Sequence, residues 1–138
     1  MKVVVSACLL GENCKYNCGN NRCPAVLEYI REKEVIPVCP EVLAGLGTPR
    51  VPIENIGDRV VSREGKDVTQ ALKGAVADIL AKLAKEDVEC VILKSRSPTC
   101  GVKQVYDGTF SGTLVDGMGV LARALRDAGY HVIDSEDI

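Results

Sequence analysis

The chain has 138 residues, a formal net charge of −2, 46% hydrophobic and 26% charged residues, so its composition is that of one ordinary globular domain. The small charge removes the electrostatic case for duplex nucleic acid or an anionic membrane as partner, and no apolar run has the length of a membrane-spanning helix. Only Lys2 precedes the first strand-like run, which is not the pattern of a secretory leader, and the expected location is the cytoplasm.

Aromatic residues are scarce at 4%, with no Trp and one Phe, so an aliphatic core is expected. Seven cysteines stand out. Their odd number and the missing export signal argue against a disulfide framework. Metal or cluster ligation, catalysis and burial as small hydrophobes are the readings that remain.

In chain order, residues 2–7 are expected as a first strand leading into Cys8-Leu9-Leu10-Gly11. Residues 11–23 form a Gly- and Asn-rich loop carrying Cys14, Cys18 and Cys23. Pro24 suits the first position of a helix whose buried stripe is Val26, Leu27 and Ile30. Residues 35–38 are a second strand, running into Cys39-Pro40-Glu41. From Gly45 through Val51-Pro52-Ile53-Glu54 a loop is expected. Arg59–Ser62 is a short strand or one arm of a hairpin closing at Glu64-Gly65.

Asp67 and Gln70 have the spacing of a capping box for the clearest helix in the sequence, whose apolar face is Val68, Leu72, Val76, Ile79, Leu80 and Leu83. A buried strand over 90–94 opens into Ser95-Arg96-Ser97-Pro98-Thr99-Cys100-Gly101. Asp107-Gly108 suggests a tight hairpin between 105–106 and 109–110. Asp116 is placed to cap a last helix ending at Gly129, and His131-Val132-Ile133 is the final strand, the histidine having a structural role. The tail Asp134-Ser135-Glu136-Asp137 reads as solvated. Strands alternating with amphipathic helices predict an α/β fold: a mostly parallel open sheet with helices on both faces, residues 1–138 forming one domain.

Three strand ends deliver three cysteines, Cys8, Cys39 and Cys100. They are 31 and 61 residues apart, so only the fold can bring them together. In an open parallel sheet the carboxyl ends of neighbouring strands do so. Thiolates bind iron–sulfur clusters, zinc or copper(I). Three of them leave one iron of a 4Fe-4S cluster without a protein ligand, and an open position is what a catalytic metal needs. The plain alternative is three small residues packed where strands end. The Cys14, Cys18, Cys23 spacing fits neither a zinc finger nor a ferredoxin, and Cys90, inside a strand, reads as core.

Glu41 and Ser97 accompany two of the strand-end cysteines, and a carboxylate beside a hydroxyl suits proton transfer. Their ordinary roles are a helix first turn and a turn before Pro98. Gly45-Leu46-Gly47-Thr48-Pro49-Arg50 has the composition of an anion-binding loop without being a phosphate-loop motif. One histidine, so placed, gives little support to a nucleophile–histidine pair.

Taken together, Val-Ser-Ala-Cys-Leu-Leu-Gly (5–11), Cys-Pro-Glu (39–41), Gly-Leu-Gly-Thr-Pro-Arg (45–50), Ser-Pro-Thr-Cys-Gly (97–101) and Asp-Gly-Thr-Phe-Ser-Gly (107–112) resemble the thiouracil desulfurase family over nearly the whole chain. That resemblance implies a 4Fe-4S cluster held by Cys8, Cys39 and Cys100, whose fourth iron binds the sulfur of a thiolated pyrimidine, and Glu41 and Ser97 as the acid–base pair. It implies non-redox desulfuration of thiouracil or a thiolated uridine nucleotide, with release of hydrogen sulfide. Lys15 and Arg50 are then candidates to meet a substrate phosphate. Where the family usually has Arg-Tyr-Asp-Gly, this chain has Lys15-Tyr16-Asn17-Cys18, which leaves substrate choice open and makes Cys14 or Cys18 a candidate cap for the fourth iron. The rival readings are a non-catalytic iron–sulfur or zinc-binding module and a thiol enzyme using Cys100 as nucleophile.

Overall fold

The computed structural model describes residues 1–47 and 49–138; Thr48, within the expected anion-binding loop, lies outside the described residues. Eight strands are named in chain order: β1 (Lys2–Ser6), β2 (Glu34–Val38), β3 (Ile53–Ile56), β4 (Arg59–Ser62), β5 (Val88–Leu93), β6 (Gln104–Tyr106), β7 (Leu114–Asp116) and β8 (Val132–Asp134). Four α-helices join them: α1 (Pro24–Tyr29), α2 (Pro40–Leu43), α3 (Thr69–Leu83) and α4 (Val120–Asp127). The central sheet has four strands in the order β2-β1-β5-β8, and every neighbouring pair is parallel.

Period-two alternation in β1 and β5 divides the apolar side chains between the two faces. Val4, Val91 and Leu93 meet Val76, Ile79 and Leu83 of α3 and Leu121, Ala122 and Leu125 of α4. On the other face Val3, Val5, Cys90 and Ile92 meet Leu9, Val26 and Ile30. Both faces are thus covered, as expected for a parallel sheet. Each fully buried Val or Leu contributes about 1.5–3 kcal/mol of transfer free energy. Cys90 belongs to this core.

β2 lies on one side of β1 and β5 on the other, so the chain reverses direction across the sheet at β1. Crevices in open α/β sheets form outside the carboxyl ends of strands at such a reversal. Cys8 leaves the end of β1 there, within a 3-10 turn over Ala7–Leu10.

Several local expectations are corrected. Residues 53–54 are not loop: β3 pairs antiparallel with β4, Ile53 opposite Ser62 and Ile56 opposite Arg59, through a turn at Gly57. The expected turn at Glu64-Gly65 also forms, with the Ser62 N–H donating to Lys66 O at 2.8 Å and Val61 opposite Asp67. The apolar residues Ile53 of β3 and Val60 of β4 pack on Val68 and Leu72, a partner that local periodicity does not reveal. No capping box forms at α3; Asp67 Oδ1 instead accepts from the Thr69 N–H at 2.9 Å, an Asx turn just ahead of the helix. Asp116 belongs to β7, and Gly119 occupies the N-cap of α4.

The tight hairpin at Asp107-Gly108 is wider than expected. β6 pairs with β7 across residues 107–113, because Asp107, Thr109, Ser111 and Thr113 hydrogen-bond among themselves and fold the intervening stretch into its own loop. The acidic tail is half tucked in: Asp134 and Ser135 are buried, and Ser135 Oγ accepts from the Ser95 N–H at 3.2 Å.

Candidate active site

Cys8, Cys39 and Cys100 line one cavity of about 480 Å³ at the carboxyl edge of the sheet, together with Cys14, Glu41 and Ser97. Each is delivered by a different strand end. Cys39 follows β2 in an extended conformation as N-cap of α2, with Pro40 in the first turn fixing the helix entry. Cys100 ends the loop after β5 and is 5% exposed.

That loop is held from behind by α4. The Val120 N–H donates to Pro98 O at 3.2 Å, and the Leu121 and Ala122 N–H groups donate to Thr99 O at 2.8 and 3.2 Å. These are the donors that a helix first turn leaves without an internal partner. Gly119 is required by close approach: a Cβ there would collide with the Thr99 carbonyl and the Cys100 nitrogen.

Hydrogen bonds order the polar side chains around the thiols. Arg50 Nη2 donates to Glu41 Oε1 at 3.1 Å, and the pair is nearly enclosed, with side-chain exposures of 8% and 15%. The other oxygen, Oε2, accepts from Thr99 Oγ1 at 3.0 Å. Thr99 Oγ1 lies 3.1 Å from Ser97 Oγ, which accepts the Thr99 and Cys100 N–H groups at 3.2 and 3.1 Å. Asn21 Nδ2 donates to Cys8 Sγ at 3.4 Å.

Burial pushes the Cys100 thiol up to about 12, against smaller opposing hydrogen bonds from Ser6 and Thr99. Burial likewise raises Cys8, and takes Cys14 up to about 12 with the neighbouring Cys39 adding to the effect. Without a bound cation these thiols keep their protons; a cationic centre displaces them and takes the sulfurs as thiolates. Among the described residues no group of three or more His, Cys, Asp or Glu side chains has an arrangement suited to one metal ion. A four-iron cluster is a larger body than one ion and takes its thiolates from further apart, and an all-sulfur donor set suits it. The residues present therefore fit a 4Fe-4S cluster.

Of the sequence-derived candidates, the structure brings Cys8, Cys39, Cys100, Glu41, Ser97, Lys15 and Arg50 to the cavity wall. Arg50 turns back: besides Glu41 it donates to Gly47 O at 2.6 Å and Cys14 O at 3.0 Å, while its Nε is buried without a partner. Cys18, exposed and at positive φ, and Cys23, at the N-cap of α1, are absent from the wall. Among the wall residues that sequence reading does not single out are Asn21, which donates to Cys8 Sγ, and Thr99, Arg63 and Phe110. Thr99 looked like part of a turn, and Arg63 and Phe110, whose guanidinium and ring are 5.7 Å apart, had no local signal.

The model of the 2-thiouracil desulfurase family matches residues 3–137. A curated relative, the uncharacterized protein YbbK of Bacillus subtilis (strain 168), is 37% identical over 146 aligned positions, covering 99% of this chain and 97% of its own. A solved structure described as the 4Fe-4S-dependent thiouracil desulfidase TudS superposes with a TM-score of 0.93 at 33% identity, covering 99% of this chain and 92% of that one.

Proposed function

The chain belongs to the 2-thiouracil desulfurase family, and we propose that it removes sulfur from a thiolated uracil, as free base or nucleotide. The bond changes balance without an external oxidant or reductant. Water adds its oxygen to the thiocarbonyl carbon, the carbon–sulfur bond breaks, and the sulfur leaves as hydrogen sulfide with both protons of the water. Residues 1–138 act in this reading as one domain, in the reducing cytoplasm, where seven unpaired cysteines persist.

One observation carries the reading. Three strand-end cysteines share a cavity with a carboxylate and a hydroxyl joined by hydrogen bonds. Cys8, Cys39 and Cys100 would hold the 4Fe-4S cluster, and when bound it supplies a soft Lewis-acid site that captures the substrate's sulfur. Everything else falls to this chain's own side chains.

Glu41 and Ser97 manage the protons: one is taken from the attacking water and one is returned to the departing sulfur. Arg50, committed through both Nη groups, fixes the Glu41 carboxylate. Lys15 and Arg63 on the wall are the cations suited to a nucleotide phosphate, and Phe110 offers a ring against which a base can stack.

Iron and acid-labile sulfide should be measured after anaerobic purification and reconstitution, with sulfide release assayed on thiouracil and on a thiolated uridine monophosphate. About four irons per chain with release from either substrate supports the reading. A cluster without release leaves a non-catalytic iron–sulfur module in its place, and zinc with no iron leaves a zinc-binding one. Activity of metal-free protein that is lost in Cys100→Ser would transfer the chemistry to a thiol nucleophile.

A further inference from the structure

We propose that Thr99 is a positioning residue that joins Ser97 to Glu41 in one proton path; this rests on the desulfurase reading above. The side chain is fully buried, and its hydroxyl has three neighbours: Glu41 Oε2 at 3.0 Å, Ser97 Oγ at 3.1 Å and Cys100 Sγ at 3.7 Å.

A threonine hydroxyl has one proton to donate. The carboxylate is the nearer acceptor and carries the negative charge, and charge-assisted bonds of this kind are roughly twice as strong as neutral ones. The proton therefore points to Glu41. Thr99 Oγ1 then has its lone pairs free for Ser97.

Ser97 settles the other half. Its oxygen already accepts two backbone N–H groups, from Thr99 and Cys100, so its own proton is what it has left to offer Thr99. The direction is Ser97 to Thr99 to Glu41. Moving each proton one place along the line protonates the Glu41 carboxylate and leaves charge on Ser97 Oγ, where the same two N–H donors hold it. Ser97 takes the replacement proton from the attacking water. Running the line backwards returns that proton from Glu41 to the departing sulfur. The second proton of the water, left on the added oxygen, passes to the sulfur by way of Ser97 as the new carbonyl forms, so the sulfur leaves as hydrogen sulfide and Ser97, Thr99 and Glu41 end as they began.

The geometry is built by elements remote in sequence. Arg50 occupies Oε1 of Glu41 and leaves Oε2 to face Thr99, while the first turn of α4 holds the Thr99 carbonyl. Thr99 therefore acts through Ser97 and Glu41, by keeping two groups that never touch in contact through one oxygen.

The test compares Thr99→Val, which keeps the shape and removes the hydroxyl, with Thr99→Ser, which keeps the hydroxyl, both as reconstituted holoenzyme. The expected result is unchanged iron content and visible absorption in both. In Thr99→Val, kcat for sulfide release should fall by about 100-fold with little change in KM, and Thr99→Ser should recover most of it. The pH profile of kcat should change shape in the valine variant and keep its shape in the serine variant. Activity of Thr99→Val within about threefold of the parent chain, with the same profile, overturns the path. So does equal loss in both variants, or loss of iron in both, since each makes Thr99 a packing residue of the loop. No sulfide from the unmodified holoenzyme overturns the desulfurase reading and the path together, whereas an active parent with an unimpaired valine variant removes the path alone.

Discussion

The molecule has two triplets of cysteines, and they behave in opposite ways. Cys14, Cys18 and Cys23 lie within one short loop, yet only Cys14 reaches the cavity wall. Cys8, Cys39 and Cys100 are scattered along the chain, yet all three line it. Sequence distance therefore says little here about whether thiols share a site. A parallel sheet returns the chain to the same edge at every strand, and that edge gathers what lies far apart. The 11–23 loop has local bonds such as Cys18 N–H to Lys15 O at 3.0 Å, which shape its own turns and leave Cys18 and Cys23 off the cavity wall.

The sharpest way to break the comparison is to remove the strand-end thiols one at a time. Cys8→Ser, Cys39→Ser and Cys100→Ser are each expected to lose most of the iron and acid-labile sulfide and to reduce sulfide release to background. Cys18→Ser should match the parent in iron content and release, since an exposed thiol away from the wall touches neither. If iron followed Cys18 and ignored Cys39, the two triplets would have to exchange roles.

A smaller effect is expected at the helix that holds the site loop. Gly119→Ala forces a methyl group against the Thr99 carbonyl and the Cys100 nitrogen. It should destabilise the fold by about 1–3 kcal/mol, seen as a lower melting temperature, with reduced iron retention. A melting temperature equal to the parent's would show that the α4 contact does not constrain the loop.

The smallest effect belongs to a region with no part in the site. Thr69 and Arg59 hydrogen-bond to Asp67 and hold its carboxyl at about 2, below the usual 3.8. A group whose folded value is depressed adds stability above the unfolded value and loses it as pH falls through the folded one. Melting curves between pH 5 and 2 should therefore show a slightly flatter pH dependence in Asp67→Asn. Because Asp67 is largely exposed, the difference should be small, and identical slopes would show that it contributes nothing measurable.

Much of the fold was legible. The Val3–Val5, Val35–Val38 and Cys90–Leu93 runs identify buried parallel strands, and the 3.6-residue period over Leu72–Leu83 identifies α3. The hairpin of β3 and β4 was not legible, because Val51-Pro52 masks the first arm and the pairing partner is decided by packing on Val68 and Leu72. Thr99 was illegible for a related reason: its partner Glu41 is 58 positions away, and nothing local marks a hydroxyl as the link between two remote groups.

The sequence by itself determined the chemistry on offer: soft thiols and polar side chains at the ends of buried strands. Periodicity and turn residues are local properties, so they can be read locally. Tertiary structure decided which thiols meet, that Arg50 turns inward onto Glu41, and that Ser97 reaches the carboxylate only through Thr99. Those outcomes depend on strand order and on helix α4 seating the loop, and both are set by packing between segments that have no common local pattern.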